Sequence, residues 1–235
     1  MSPTNNDQSS QSGESSAQRP IIDDAPTSPT DLRSKSSNRM LAMAAAGAAA
    51  LGLLAVLLFR SLQPHIYAGT VLQGNTPAPP LQGLTFIDGE PANPGDANGE
   101  VTLVFFGYTH CPDICPTTLA NVRGAIDQLG DDAEAVNLWM VSVDTERDNA
   151  QFLEDYVDHF APQFAGLSGT PEDIDAAAAL YGIHYQIHEA DDNGEYLVDH
   201  SAGIMGIGPD GVLRIVWAPD TPPSAMADDI RALLS

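Results

Sequence analysis

One uncharged segment divides this chain of 235 residues and limits what each part can fold into. Residues 40–59 read "MLAMAAAGAAALGLLAVLLF", with Arg39 directly before them and Arg60 directly after. At about 1.5 Å per residue, a helix of this length covers roughly 30 Å, the thickness of a bilayer's hydrocarbon core. The segment therefore predicts a single transmembrane helix that anchors the chain.

A cleaved signal peptide is the alternative interpretation of this segment. Its apolar region would be shorter, about 7–15 residues, and would lie nearer the start of the chain. The stretch "AMAAAGAAA" has the small residues of a cleavage site, but the apolar run "LGLLAVLLF" continues beyond it. We therefore expect the anchor to be retained.

The cations near the anchor predict its orientation. Arg33, Lys35 and Arg39 precede it, and only Arg60 follows closely. Because cytoplasmic flanks carry the excess of Lys and Arg, residues 61–235 should lie outside the cytoplasm. Acidic residues in the N-terminal part are atypical of a mitochondrial transit peptide. We expect a bacterial inner-membrane protein, single-pass, with its C-terminal domain in the periplasm.

The segments flanking the anchor differ in composition. Residues 1–39 are rich in Ser, Pro, Asn and Gln, with few large apolar side chains, and this predicts a disordered cytoplasmic tail. Residues 60–80 contain "TPAPP" and are expected to be a stalk or linker. Residues 81–235 are numerous enough for one domain with its own core.

The charge of the outer part limits its partners. Residues 61–235 contain 4 Arg, no Lys and 27 Asp or Glu, which gives a net charge of −23. Nucleic acid and anionic membrane surfaces would be repelled by this charge, so we expect no nucleic-acid partner. A cationic partner or a salty environment is compatible with it.

The order of predicted elements favours one fold class. Continuous apolar runs at 101–108 and 138–144 predict buried strands, and apolar spacing of three and four predicts helices after each of them. A third helix opens at Thr170 and Pro171, and predicted strands follow at 195–200, 202–208 and 212–218, then a last helix at 222–235. This order predicts an α/β fold, a thioredoxin-like sandwich. The sequence has no phosphate-binding, zinc-protease or serine-hydrolase motif.

The two cysteines of the chain, Cys111 and Cys115, directly follow the first buried strand. Cysteines four residues apart at a helix start can point the same way and either share a metal ion or form a disulfide. The helix N-terminus favours the thiolate, which is both ligand and nucleophile. A purely structural disulfide is the alternative, but a bridge that closes so small a loop contributes little stability.

Two thiolates leave most metal sites incomplete, and a zinc site with three or four cysteines is excluded within one chain. The histidines are His65, His110, His159, His184, His188 and His200. His200 stands at the mouth of a predicted hairpin, where it could lie over the thiols. The other histidines are expected to be surface or ordinary polar residues, and His110 is too close in sequence to Cys111 to share a metal with it easily.

Four stretches, in order, carry a resemblance to a known family: "GYTHCPDICPTTL", "VSVDTERD", "GLSGTPEDI" and "YLVDHSAGIMGIGPDG". After a single N-terminal anchor, they resemble the Sco/SenC family of copper-binding, thioredoxin-like proteins that serve cytochrome c oxidase assembly. The resemblance spans roughly residues 66–219. It implies that Cys111, Cys115 and His200 bind copper, as Cu(I) and/or Cu(II).

Other residues near the motifs are weaker candidates. Asp113 and Asp199 are candidate additional partners of oxidised copper, or solvated surface acids. Met205 offers a thioether, but its alternating context favours the core. The stretch that contains Asp144, Arg147 and Asp148 is expected to form a turn held by charge pairing.

The preferred hypothesis is a metallochaperone, not an enzyme, that delivers copper to the CuA centre of cytochrome c oxidase subunit II. Other periplasmic copper carriers or thiol reductants are further expected partners. The alternative is a thiol:disulfide oxidoreductase that reduces the copper-site cysteines of that subunit through a redox-active Cys111–Cys115 disulfide. Against it, the thioredoxin motif has two intervening residues rather than three. A peroxidase is disfavoured because "THCPDIC" lacks the expected threonine spacing.

Overall fold

The computed structural model describes residues 30–96 and 99–235. Its first element is helix α1, Thr30–Ser61. Within α1, Arg39–Arg60 has a mean hydropathy of 2.4, and its apolar side chains are exposed. The helix is therefore long and apolar enough to cross a membrane, in agreement with the predicted anchor.

Helix α1 extends further toward the N-terminus than the predicted anchor. It includes residues 30–39, which the sequence analysis assigned to the disordered tail. Adding residues to an established helix costs little, and Leu32 and Arg33 are favourable helix formers. The rest of the predicted tail, residues 1–29, lies outside the described residues.

The second unit of the chain, Pro64–Ser235, is built around a six-stranded mixed sheet. The strands are β1 Thr70–Val71, β2 Val101–Gly107, β3 Val136–Ser142, β4 Phe164–Leu167, β5 Tyr185–Ile187, β6 Val198–His200, β7 Ile204–Ile207 and β8 Leu213–Trp217. The sheet order is β1-β8-β7-β2-β3-β4. β2, β3 and β4 run parallel, whereas β7, β8 and β1 pair antiparallel. β5 and β6 form a separate antiparallel ribbon.

Four further helices pack with this sheet: α2 Ile114–Ile126, α3 Ala150–Asp158, α4 Pro171–Tyr181 and α5 Pro223–Leu234. α2 contacts α5, and α3 contacts β4. At the start of α4, the Thr170 hydroxyl accepts a hydrogen bond from the N–H of Asp173, whose carboxylate accepts from Thr170 in return. This capping box confirms the predicted helix start. The mixed α/β arrangement confirms the thioredoxin-like sandwich.

β2 lies inside the sheet and leads directly to the cysteines. All of its residues are buried, as its unbroken apolar sequence predicts for a strand covered on both faces. Phe105, Phe106 and Trp217 are among the largest fully buried side chains. The core therefore fixes the strand that leads into residues 108–113, the thiol loop.

β4 was not predicted from the sequence. Its residues, "FAGL", include Ala and Gly, which have low strand propensity, and the strand is only four residues long. Pairing with β3 stabilises β4 as a strand although its own residues have low strand propensity. Gly166 also allows α3 to come close, because a Cβ there would lie 2.6 Å from Leu153.

Part of the segment predicted to be a stalk or linker, residues 60–80, contributes a strand to the sheet. The compact unit begins at Pro64, and β1 pairs with the sheet edge formed by β8. The Asp229 carboxylate on α5 accepts hydrogen bonds from the backbone N–H groups of Ala68 and Gly69, at 3.0 and 3.1 Å. A strand of two residues has no detectable periodicity, so its tertiary contacts could not be inferred from sequence.

Candidate metal centre

The two cysteines lie on the connection between the central strand and the helix that follows it. β2 ends at Gly107 and α2 begins at Ile114, so Cys111 is in the loop and Cys115 is the second helical residue. The backbone N–H of Cys115 donates to Cys111 Sγ, with 3.4 Å between the two heavy atoms. Both side chains are free thiols. The predicted position of Cys115 in the first helical turn is confirmed.

His200 brings an imidazole to the thiols from a distant part of the sequence. It ends β6, and its Nε2 lies 3.4 Å from Cys115 Sγ. Its Nδ1 lies 3.2 Å from the backbone oxygen of Ser201. One donor atom from each of Cys111, Cys115 and His200 lies within 4.8 Å of the other two. The structure thus brings together the three side chains that the resemblance singled out.

Aromatic side chains pack against the His200 imidazole and form an apolar base for the site. The His200 ring packs edge-on against Phe105 and Tyr108, with ring centroids 6.1 and 5.9 Å apart. Cys115 is fully buried, whereas Cys111 and His200 line a surface pocket. The cluster is therefore closed beneath and accessible from one side.

Burial decides the protonation of two of these groups. It raises the pKa of the Cys115 thiol and lowers the pKa of the His200 imidazole, because each charged form loses water. The position at a helix N-terminus predicted a lowered thiol pKa. For Cys115 that prediction is wrong, because burial raises the pKa of its thiol. In the metal-free protein at neutral pH, both groups are uncharged.

Gly107 keeps the space next to Cys115 open. A Cβ at this position would lie 2.7 Å from the Phe105 ring, and 3.2 Å from both Cys115 Sγ and Met140 Cε. In a close-packed core these atoms have little room to move. This role of Gly107 was not predicted from the sequence, although a glycine at the junction of a buried strand and the thiol loop was an available signal.

Asp148 holds the loop that leads to Cys111. Its buried carboxylate accepts hydrogen bonds from the Thr109 N–H at 2.9 Å, from the Ser142 hydroxyl at 2.6 Å, and from the Thr109 hydroxyl. These bonds join the end of β3 to the thiol loop. The sequence predicted Asp148 only as part of a charged turn, so this role is a finding of the structure.

The charged turn itself is confirmed. Arg147 Nε donates to the Asp144 carboxylate at 2.6 Å, and the Tyr196 hydroxyl donates to the other oxygen of that carboxylate at 2.7 Å. The guanidinium also stacks 3.5 Å from the centroid of the Tyr196 ring. The turn therefore fastens the segment that leads into β6.

A second group of ligand-type residues lies beside the first. His110, Asp144 and Asp148 have donor atoms within 4.8 Å of one another. However, both carboxylates already accept the hydrogen bonds described above, and both are buried. Their arrangement fits a structural network rather than a metal site.

Three further residues considered from sequence take different positions. Asp113 precedes α2 without a side-chain hydrogen bond to the helix end. Asp199 is exposed and lies 2.8 Å from His188 Nε2. Both acids line the pocket at the site, and their part in metal binding stays a prediction. Met205 is buried within β7, as the core interpretation favoured.

The other histidines belong to separate contacts in the described part of the chain. His65 Nε2 lies 2.7 Å from the Asp229 carboxylate. The ring of His110 packs 5.6 Å from that of Phe152. These positions agree with the expectation of ordinary polar or surface histidines.

Comparison with known proteins gives consistent matches. The SCO1/SenC family model matches residues 82–235. The mitochondrial SCO1 homolog of Homo sapiens is 36% identical over 130 residues, which are 54% of this chain and 43% of that protein. The chain spans about half the length of the curated relatives it matches.

Solved structures agree in fold as well. Apo Sco1 from Thermus thermophilus is 37% identical with a TM-score of 0.64, over 72% of this chain and 98% of that one. Bradyrhizobium japonicum ScoI with copper bound is 33% identical with a TM-score of 0.58, over 70% and 98%. Since the family model covers more than half of the sequence, this chain belongs to the SCO1/SenC family.

Proposed function

We propose that this chain is a membrane-anchored copper metallochaperone that delivers copper to the CuA centre of cytochrome c oxidase subunit II. The observation that carries the proposal is the cluster of Cys111, Cys115 and His200, whose donor atoms lie within 4.8 Å of one another. The family serves cytochrome c oxidase assembly. A copper-bound structure of a relative that is 33% identical adds support.

The donor set fits copper as cargo. Thiolates are soft ligands that suit Cu(I), and imidazole suits both oxidation states. Three ligands leave room for a ligand of the recipient to enter, so copper can pass by stepwise exchange. Because the Cys115 thiol is protonated in the free protein, loading the metal releases protons.

The accessible side of the site suits transfer between proteins. Cys111 and His200 line the surface pocket, whereas Cys115 lies beneath them. A recipient ligand can therefore approach the first two while the third keeps hold of the ion. We infer that copper leaves through this pocket.

The proposed place of action is the periplasmic face of a bacterial inner membrane. Helix α1 supplies the anchor, and the cations before it favour a cytoplasmic N-terminus. Fusing alkaline phosphatase to the C-terminus tests this orientation. We expect active phosphatase; an inactive fusion together with an active cytoplasmic reporter would contradict it.

The delivery step is tested by mixing the Cu(I)-loaded chain with the reduced, copper-free soluble domain of subunit II. Separation and metal analysis should show copper on the recipient, and a His200→Ala chain should transfer poorly because it retains less copper. Free Cu(I) at the same concentration is the control. Copper that stays on the chain throughout would contradict delivery to this recipient.

A thiol:disulfide oxidoreductase is the second candidate, favoured by the two adjacent free thiols. In this reaction the Cys111 and Cys115 thiols form one disulfide, and two electrons and two protons pass to a substrate disulfide. Reduction of an oxidised subunit II domain by one equivalent of the reduced chain tests it, with Cys115→Ala as the control. Stoichiometric reduction without copper binding would favour this candidate over the metallochaperone.

A further inference from the structure

The first residues after the membrane anchor differ in charge from the rest of the outer part. Residues 61–87 contain no Asp, Glu, Lys or Arg, whereas all 27 acidic residues of the outer part lie between 88 and 235. Repulsion from an anionic surface therefore comes from residues 88–235. The uncharged segment can lie against a bilayer without that repulsion.

Part of the uncharged segment is fixed on the surface of the domain. The buried Asp229 carboxylate accepts hydrogen bonds from the N–H groups of Ala68 and Gly69. Directly after them, β1 pairs with β8 at the edge of the sheet. We name residues 64–72 the juxtamembrane segment. These contacts make it part of the compact unit, which begins at Pro64.

Large aliphatic side chains of the juxtamembrane segment are exposed. His65 contacts Asp229 and Tyr67 packs against the core, but Ile66 between them is 89% exposed. Val71 and Leu72 are 43% and 37% exposed. A single exposed aliphatic side chain is ordinary, but three of them within seven uncharged residues form an apolar surface that suits an apolar partner.

The position of the segment in the chain indicates which partner is within reach. Ile66 lies six residues after Arg60, the end of the apolar span. An extended chain covers at most about 3.6 Å per residue, so Ile66 lies within about 22 Å of the end of that span. Aliphatic side chains at this distance can enter the boundary between lipid headgroups and acyl chains, where they leave water.

We propose that the juxtamembrane segment docks the domain on the bilayer surface through Ile66, Val71 and Leu72. This inference rests on the membrane anchor of the proposed function, and it is independent of copper binding. The acidic residues of 88–235 are repelled by anionic lipids, so the uncharged segment is the part that faces the bilayer. The domain then keeps a fixed orientation toward a recipient in the same membrane.

The test uses tryptophan reporters in the full-length chain, reconstituted in phosphatidylcholine bilayers with brominated or unbrominated acyl chains. Ile66→Trp and Leu72→Trp each place an indole on the segment, and bromine quenches indole emission only on close approach. We expect bromination to reduce the emission of both variants by more than that of the unchanged chain. The unchanged chain supplies the background of its two native tryptophans.

Ile187→Trp is the matched control. It makes the same substitution as Ile66→Trp at another exposed isoleucine, one that lies on β5 and is 46% exposed. Bromination should reduce its emission no more than that of the unchanged chain. Circular dichroism of the three variants verifies that the fold is kept.

Two results would overturn the inference while leaving copper binding intact. One is a failure of bromination to quench either reporter; quenching of Ile66→Trp alone would mean that only the chain next to the anchor reaches the bilayer. The other is equal quenching of Ile187→Trp, which would mean that no face of the domain is preferred. An unchanged chain that alkaline carbonate releases from the bilayer would instead refute the anchor, and the inference with it.

Discussion

At the scale of single residues, Gly107 shows how a missing side chain shapes the site. Its place at the end of β2 leaves the Phe105 ring, Cys115 Sγ and Met140 Cε in contact with the space where a Cβ would stand. Backbone flexibility is not the reason for glycine here. The reason is that a methyl group would compete with the sulfur for room.

Replacing this glycine tests that explanation. Gly107→Ala should destabilise the copper-free protein by about 1–3 kcal/mol, the usual cost of overpacking a core. It should also weaken copper binding, because the methyl group displaces Cys115. Urea unfolding followed by tryptophan fluorescence and a Cu(I) titration measure the two effects.

Gly124→Ala is the matched control, since Gly124 lies within α2 and a Cβ there meets Pro223 at an ordinary 3.4 Å. That substitution should leave copper binding unchanged and stabilise the protein by up to about 1 kcal/mol through helix propensity. Equal stability and affinity for Gly107→Ala and the unchanged chain would contradict the account.

At the scale of elements, the site forms where the end of β2, the start of α2 and the end of β6 meet. Asp148 stabilises the thiol loop that joins β2 to α2, because its carboxylate accepts hydrogen bonds from the end of β3 and from this loop. Its position explains how a loop residue such as Cys111 can have a fixed place. The loop is held by a buried carboxylate rather than by regular secondary structure.

Asp148→Ala should therefore damage both stability and binding. It leaves buried donors of Thr109 and Ser142 without their acceptor, which should cost about 2–4 kcal/mol. Copper affinity should fall as well, because Thr109 is two residues from Cys111. Asp127→Ala, which breaks an exposed ion pair with Arg123, is the control and should cost under about 1 kcal/mol. An effect of Asp148→Ala no larger than that of the control would contradict this role.

The elements that sequence predicted are those with strong local signals. The apolar run at 101–108 predicted β2, and Thr170 with Pro171 predicted the start of α4. β1 and β4 could not be predicted in this way, because they are short and owe their order to pairing with β8 and β3. The local sequence pattern predicted an element only where the segment itself strongly favours one secondary structure.

Some features of the candidate metal site were predicted from the sequence, and others could not be. The cysteine spacing predicted two thiols at a helix start, and the family resemblance directed attention to His200. The raised pKa of Cys115 could not be predicted, because it depends on burial by residues distant in sequence. The hydrogen bond between the Val198 backbone N–H and the Tyr108 hydroxyl could not be predicted either, because these residues meet only in the folded chain.

At the scale of the whole molecule, the dominant feature is negative charge. Residues 61–235 contain 27 acidic residues against four arginines. Each of those arginines, Arg123, Arg147, Arg214 and Arg231, lies within ion-pair distance of an aspartate. The excess acids therefore repel one another, and this repulsion opposes the compact state.

Salt should consequently stabilise the protein. Raising NaCl from about 10 mM to about 500 mM shortens the Debye length from about 30 Å to a few ångström and screens the repulsion. The melting temperature of the copper-free chain should rise, as measured by circular dichroism. Sorbitol at equal osmolality controls for general solute effects. A melting temperature that stays constant or falls with salt would contradict the argument.

The most direct test of the central claim is a Cu(I) titration of the reduced full-length chain in detergent against a chromophoric chelator. Cys111→Ala, Cys115→Ala and His200→Ala should each lower affinity by at least about 100-fold, roughly 2.7 kcal/mol, because each removes one of three donors. His159→Ala, which changes an exposed histidine outside the cluster and its pocket, should leave the affinity unchanged. The account predicts tight one-to-one binding by the unchanged chain. Weak binding, or binding that is indifferent to His200→Ala, would contradict the three-donor copper site.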